Sequence, residues 1–386
     1  MDARIVGWGH TPFGALEGQS LEDLIKLAAG EALEHAGIGA ADVDAIWLGH
    51  FNGGLVPDAF PSSLVLGLDD DLRFTPATRV ENACASGSAA VFAARNAIRA
   101  GAARTVLVIG AEKMTSQDTA GVTEALAGAS YQAEEAGVSF PEVFARIAQG
   151  YFQRFGDKTE ALARIAAKNH HNAMSNPLAH LHKDLGFEFC NSVSDRNRLI
   201  APPLKMTDCS LISDGAAALV MVADDMEGDF ERAVGFRGAA QINDYLPMSR
   251  RDMTELTGAA RAFSGAFSEA GINVEDLDVA EVHDCFTIAE LLIYEAMGLA
   301  EKGKGEDAIQ SGRVSRGGDL PINLSGGLKA KGHPVGATGV SMHVLAARQV
   351  SDAAGEMQVD GAELACVFNM GGSGVANYCS VLEAVK

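Results

Sequence analysis

The chain predicts an α/β protein made of two similar halves, with a mostly helical segment set into the first half. Three observations carry this. Short apolar runs alternate with helical patterns, the texture of a sheet covered on its faces. An echo runs through the chain: Ala36-Gly37-Ile38 recurs as Ala270-Gly271-Ile272. At the same spacing, Asp42-Val43-Asp44 recurs as Asp276-Leu277-Asp278 and Leu48 as Val282. Between the copies, residues 116–199 carry helical stretches and polar connections with few strand-like runs. Residues 1–115 with 200–228 are therefore assigned to the first half, 116–199 to the insertion and 229–386 to the second half.

In order, residues 4–9 read as a strand and 20–36 as a helix capped by Ser20, with Glu22 and Asp23 in its first turn. Ala45 to Gly49 and Thr75 to Val80 read as strands, 86–99 as an Ala-rich helix, and Thr105 to Gly110 as a strongly apolar strand. Inside the insertion, Pro141–Phe155 and Thr159–Ala173 have helical texture, and the apolar run through Val222 resumes the sheet. In the second copy, a helix Ile288–Met297 follows the strand near Val282. A glycine-rich bend at 332–339 then leads into a helix Val340–Val350, and Ala365 to Phe368 forms a strand. A site built from two such copies belongs where they meet, at strand ends and helix starts.

Composition narrows the function. The 386 residues are 47% hydrophobic and 21% charged, which is globular, and the net charge of −21 argues against a nucleic-acid or anionic membrane surface. No apolar run approaches a membrane span, and Met1-Asp2-Ala3-Arg4 leads into a strand with no secretory signal. The cysteines at 84, 190, 209, 285, 366 and 379 are scattered without a CxxC pair, so neither a disulfide framework nor a structural zinc site is expected. A reducing cytoplasm fits that usage.

Three stretches carry chemistry. Asn82-Ala83-Cys84-Ala85-Ser86-Gly87 puts Cys84 in a strand-to-helix bend. There the helix N-terminus favours thiolate and small neighbours admit a substrate. A buried cysteine acting as a small hydrophobe is the competing reading. In Gly332-His333-Pro334-Val335-Gly336-Ala337-Thr338-Gly339, His333 is held rigidly among glycines that imply close ligand approach, a setting for proton transfer. A loop histidine with a local hydrogen bond is the alternative. Glu281-Val282-His283-Asp284-Cys285-Phe286 places His283 and Cys285 at a strand end entering a helix; on its own that pattern is weak evidence. No ligand spacing favours a metal, and no GxxxxGK[ST] phosphate loop is present.

Together these stretches resemble the thiolase family over essentially the whole chain. Cys84-Ala85-Ser86 is similar to the family's nucleophile motif, and Gly332-His333-Pro334 to its histidine motif within an NxxGGxxAxGHPxGATG block. His283-Asp284-Cys285-Phe286 resembles the sterol-carrier-protein-2 type, as do Lys168-Asn169-His170-His171 and Ser213-Asp214-Gly215. The resemblance implies a five-layered αβαβα fold and a homodimer or homotetramer. It implies coenzyme A thioesters as substrates, with no metal or bound cofactor. The helical insertion would cover the pantetheine, with 120–140 shaping the acyl pocket. The coenzyme A phosphates would meet basic residues of that insertion or near Arg250 and Arg251.

The implied chemistry is acyl transfer through Cys84, with His333 promoting the thiolate, His283 stabilising an enolate and Cys285 moving the α-proton. The backbone N–H groups of Cys84 and of Met370 or Gly371 would form the oxyanion hole. Where most members have Cys-x-Gly before the last glycine run, Phe368-Asn369-Met370 stands here, with Phe368 in the cysteine's place. The second cysteine is then Cys285 or, as a rival, Cys366. A decarboxylating condensing enzyme, a thiolase-fold aldolase, or a subunit working only with a small OB-fold partner protein are the alternatives.

Overall fold

The computed structural model describes residues 2–386. The first half runs β1 (Ala3–His10), α1 (Leu21–Ala36), β2 (Ala45–Gly49), β3 (Ala77–Val80), α2 (Ser86–Arg99) and β4 (Thr105–Glu112). Helices α3 (Thr119–Ala127), α4 (Gln132–Glu135), α5 (Phe140–Phe155), α6 (Thr159–Ala173) and α7 (Gly186–Asn191) follow. A hairpin of β5 (Leu199–Ala201) and β6 (Leu204–Lys205) leads back to β7 (Gly215–Ala223). The second half is β8 (Val234–Asn243), α8 (Thr257–Ala270), β9 (Val279–Val282), α9 (Thr287–Ala296), α10 (Gly305–Gln310), α11 (Gly327–Ala330), α12 (Val335–Val350), β10 (Leu364–Gly371) and β11 (Ala376–Ala384).

The large sheet has the strand order β3-β2-β4-β7-β1-β8-β11-β10-β9. It is two half-sheets joined at their β1 and β8 edges, among the described residues, by only two pairs, Arg4–Gly235 and Ile5–Val234. Within each half the two strands flanking the helix connection are parallel, β2 with β4 and β9 with β10. Helix α1 packs on the outside of the first half-sheet and α8 on the outside of the second, while α12 touches strands of both. Every residue of α12 except Arg348 is buried, as a helix sandwiched between two sheets must be. Helices α2 and α12 thus form the middle of a five-layered αβαβα fold of the thiolase kind.

The echo extends to single hydrogen bonds. Helix α1 starts at a reciprocal cap, Asp23 N donating to Ser20 Oγ and Ser20 N to Asp23 Oδ2. Helices α1 and α8 stop at left-handed glycines, Gly37 (φ 73°) and Gly271 (φ 68°). Asp42 and Asp276 then each accept from the backbone three residues upstream, at Gly39 and Asn273. Asp44 accepts from Thr105 N at the head of β4, and Asp278 from Leu364 N at the head of β10.

One element departs from the sequence expectation. Helix α12 begins at Val335, not Val340, so Gly336 and Gly339 are helical. A Cβ on Gly339 would lie 2.2 Å from Ser88 N, and one on Gly87 would lie 2.8 Å from Gly336 O. These glycines let α2 and α12 touch backbone to backbone; they are not openings for a ligand. Among the described residues no helix is long and apolar enough to cross a membrane.

Candidate active site

Cys84 sits on a tight elbow between β3 and α2. Ala83 is left-handed (φ 51°), a strained conformation for a residue with a Cβ, and it turns the chain directly before the cysteine. Ser86 locks the elbow: its Oγ accepts from Asn82 N at 2.9 Å and donates to Ala83 O at 2.6 Å. The helix start does not leave a resting thiolate, contrary to the sequence expectation. Burial pushes the Cys84 thiol up to about 12; the Gly372 N–H and the cysteine's own N–H pull against that, and the Glu112 carboxylate adds to it. Cys84 therefore needs a base beside it.

His333 supplies one. It stands two residues before α12, as Cys84 stands two residues before α2, so the two halves place the pair at matching helix starts. Gly332 precedes it with φ 114°, where a Cβ would lie 2.6 Å from Ser213 Oγ, and that hydroxyl in turn accepts from His333 N. A ring nitrogen of His333, one of His283 and the Cys84 sulfur all lie within 4.8 Å of one another. The two rings meet edge to face with centroids 5.2 Å apart. Burial, and then the Lys331 charge, lower His333 to about 3. Burial also holds His283 well below the usual histidine range, helped by His333 and Lys331. Both rings are neutral at pH 7.

Hydrogen bonds fix where His333 carries its single proton. Thr338 Oγ1 donates to Pro334 O (3.0 Å), so towards His333 Nδ1, 2.7 Å away, it accepts. His333 is protonated on Nδ1, and its unpartnered, buried Nε2 keeps a lone pair.

His283-Asp284-Cys285 is fastened by a buried polar network. Asp284 accepts from Leu328 N, Lys329 N and Asn169 Nδ2, and Asn169 Nδ2 also donates to Glu290, which pairs with Lys168 at 2.9 Å. The Lys168-Asn169 stretch thus acts at the site from within the helical insertion. Cys285 lines the same cavity as Cys84 and His333, about 280 Å³ and otherwise mostly apolar, with walls that include Val122, Leu126, Phe140 and Ile200. Burial, then the neighbouring Cys84, raise the Cys285 thiol well above its ordinary value. Cys209 lines that cavity too. Cys366 does not: its sulfur lies in the core, 3.8 Å from that of Cys379.

The structure brings Cys84, His283, Cys285 and His333 together and bears on three neighbouring expectations. The N–H that reaches the Cys84 sulfur from the glycine run is that of Gly372. Met370 and Gly371 lie in β10, opposite Asn377 and Ala376 of β11. Counting Cys-x-Gly back from Gly371 puts Asn369, not Phe368, in the cysteine's place. Phe368 points to the outer face, stacked on Phe263 at 4.5 Å, while the Asn369 amide lies 3.2 Å from Cys84 O and 2.9 Å from His283 Nδ1. Arg251 is committed to the glycine turn, donating to Ser373 O (2.8 Å) and Ser373 Oγ (2.6 Å), and Arg250 lies over the Tyr245 ring. Arg251 thus braces the turn that presents the Gly372 N–H.

Known proteins match both halves. A family model described as the thiolase N-terminal domain matches residues 3–185, and one described as thiolase C-terminal domain-like matches 239–384. The chain is 38% identical over 378 residues to an acetyl-CoA acetyltransferase of Methanothermobacter thermautotrophicus, covering 97% of each. It is 31% identical over 389 residues to human sterol carrier protein 2, covering 95% of this chain and 69% of that one. Among solved structures, an Ltp2–ChsH2(DUF35) aldolase superposes with a TM-score of 0.83 over 99% of this chain and 98% of that one. Its 24% identity makes that a likeness of fold. Matched in both halves and along nearly its whole length, this chain is an enzyme of the thiolase family.

Proposed function

We propose that the protein is an acyl-CoA acyltransferase that runs the reversible Claisen condensation and thiolysis of 3-ketoacyl-CoA through an acyl-Cys84 intermediate. The observation that carries this reading is the meeting of the Cys84 sulfur with two neutral imidazoles beside a mostly apolar cavity also lined by Cys285. His333 Nε2 takes the Cys84 proton as the sulfur attacks the thioester carbon. The carbonyl oxygen becomes an oxyanion facing the N–H groups of Cys84 and of Met370 or Gly371, next to the Gly372 N–H that reaches the sulfur, and its collapse expels coenzyme A thiolate, which takes the proton back from His333. One such oxyanion donor is typically worth about 3–4 kcal/mol in the transition state. In the second half-reaction Cys285 passes its proton to His333 Nε2 and as thiolate removes an α-proton of acetyl-CoA; the enolate oxygen rests on His283, and the enolate carbon displaces Cys84 thiolate, which takes the proton held on His333. The substrates are coenzyme A thioesters, and the chemistry calls for no metal or bound cofactor.

The edge strand β3 and the exposed Phe60 and Phe74 favour pairing of two first halves, so the working species is a homodimer. The test is thiolysis of acetoacetyl-CoA by the isolated chain, followed by loss of enolate absorbance. Turnover supports this reading. No turnover until a small OB-fold partner protein is added supports the competing one, a thiolase-fold subunit of a two-protein condensing enzyme or aldolase.

A further inference from the structure

Asn369 holds a position that decides what kind of centre this is. Its Nδ2 lies 3.2 Å from Cys84 O and 2.9 Å from His283 Nδ1, while its Oδ1 is buried with no partner. A backbone carbonyl only accepts, so the amide atom facing Cys84 O is the NH2 nitrogen. Its second hydrogen then points at His283 Nδ1, which must accept through its lone pair. A neutral imidazole has one proton, and in His283 that proton is left on Nε2. His333 is the reverse, with Nδ1–H donated to Thr338 and a bare Nε2. The two rings beside Cys84 are thus opposite tautomers, one with a bare Nε2 and one with an Nε2–H.

The same three groups would otherwise form a metal site. A thiol and two imidazole nitrogens within 4.8 Å, with a second thiol in the cavity, are donors of the type zinc selects. Zinc needs a lone pair from each nitrogen, and a ligating histidine gives its other N–H to an acceptor. His333 meets that requirement. His283 does not, because the group behind its Nδ1 is a donor. Turning the Asn369 amide over to offer Oδ1 would set two oxygens against each other at Cys84 O. We infer that Asn369 is a positioning residue that holds His283 in the Nε2–H form, keeping the Cys84–His283–His333 cluster a proton-transfer centre and denying it to zinc. The value of that Nε2–H to an enolate rests on the function proposed above; the tautomer and the exclusion of zinc do not.

The test uses the full chain, with Zn²⁺ and Co²⁺ as the metal probes. Asn369→Asp replaces the donor by a carboxylate that accepts Nδ1–H. It should tighten Zn²⁺ binding by roughly 10–100-fold, the usual weight of such a supporting contact. It should also give Co²⁺ a thiolate charge-transfer band that prior alkylation of Cys84 abolishes. One proton, from the Cys84 thiol, should leave per metal bound. Wild-type protein binding Zn²⁺ at Cys84 as tightly as the variant would overturn the inference. If Asn369→Asp does not fold, ¹⁵N imidazole NMR of the wild type decides it, with the His283 resonance identified by its loss in His283→Gln. A proton on Nε2 upholds the inference and one on Nδ1 overturns it. Both readouts are independent of turnover, so absence of thiolysis would defeat the proposed function and leave this inference standing.

Discussion

The ends of two equivalent strands make a natural pair. In the first half, β2 ends beside His50, whose Nδ1 lies 2.9 Å from Ala111 O and 3.1 Å from a Glu112 oxygen. Both are acceptors, so His50 donates there. Glu112 also accepts from Phe51 N, Asn52 N and Gly336 N, binding the strand end to the start of α12. In the second half, β9 ends beside His283, whose Nδ1 meets the NH2 of Asn369. Same fold, same strand end, opposite proton. The first histidine is part of a brace, and the second keeps its N–H on Nε2 in the cluster with the cysteine. What separates structure from chemistry here is the group behind Nδ1.

Breaking each histidine should separate the two roles. His283→Ala should lower the rate of condensation by roughly 10²–10³-fold, the usual cost of one oxyanion-type donor, with little change in melting temperature. His50→Ala should do the reverse, costing about 1–3 kcal/mol in denaturant unfolding while a folded fraction keeps its kcat. Equal kinetic damage from both variants would erase the distinction.

A second contrast lies within the second half, between cysteines on the cavity and in the core. Cys285→Ala should leave acylation of Cys84 intact and slow α-proton exchange of acetyl-CoA in deuterated buffer by at least about 10²-fold. Cys366→Ala, in the core against Cys379, should cost about 1–2 kcal/mol and leave exchange nearly unchanged. The opposite pattern would move the second cysteine's role to Cys366.

Acid should act on the layer the halves share. Burial lowers His10 and His333 to about 3 and His343 to about 4, and all three belong to α12 or contact its surroundings. The unfolded chain protonates these groups near pH 6.5 and the folded one near 3–4. Their contribution is therefore whole above about pH 6.5 and drains as pH falls towards those values, by roughly 1.4 kcal/mol per histidine per pH unit. Urea midpoints should fall steadily between pH 6.5 and 4; a flat profile would mean these rings are already charged in the fold.

Much of this was legible in the sequence because it is local. Cys84, His333, His283 and Cys285 each lie within a few residues of a strand end or helix start, and the repeat of Gly37 at Gly271 marks the two halves. What was missed depends on strand register. Asn369 and Phe368 are neighbours in sequence and face opposite sides of the sheet, so a slip of one residue exchanges an active-site amide for a core ring. The Cys84 thiol was misjudged because desolvation outweighs the helix end, and burial is a property of the assembled layers. Gly336 and Gly339 read as ligand clearance in the sequence because the backbone they touch, at Gly49, Ala111 and Ser88, lies more than 200 residues earlier in the chain.

The measurement that bears on all of this is the acylation itself. Incubating the chain with acetyl-CoA and mapping the product by mass spectrometry should find one acetyl group, on Cys84, present in wild type and Cys285→Ala and absent in Cys84→Ala. An acetyl group on Cys285 or Cys209, or coenzyme A released with no modified cysteine, would contradict Cys84 as the nucleophile.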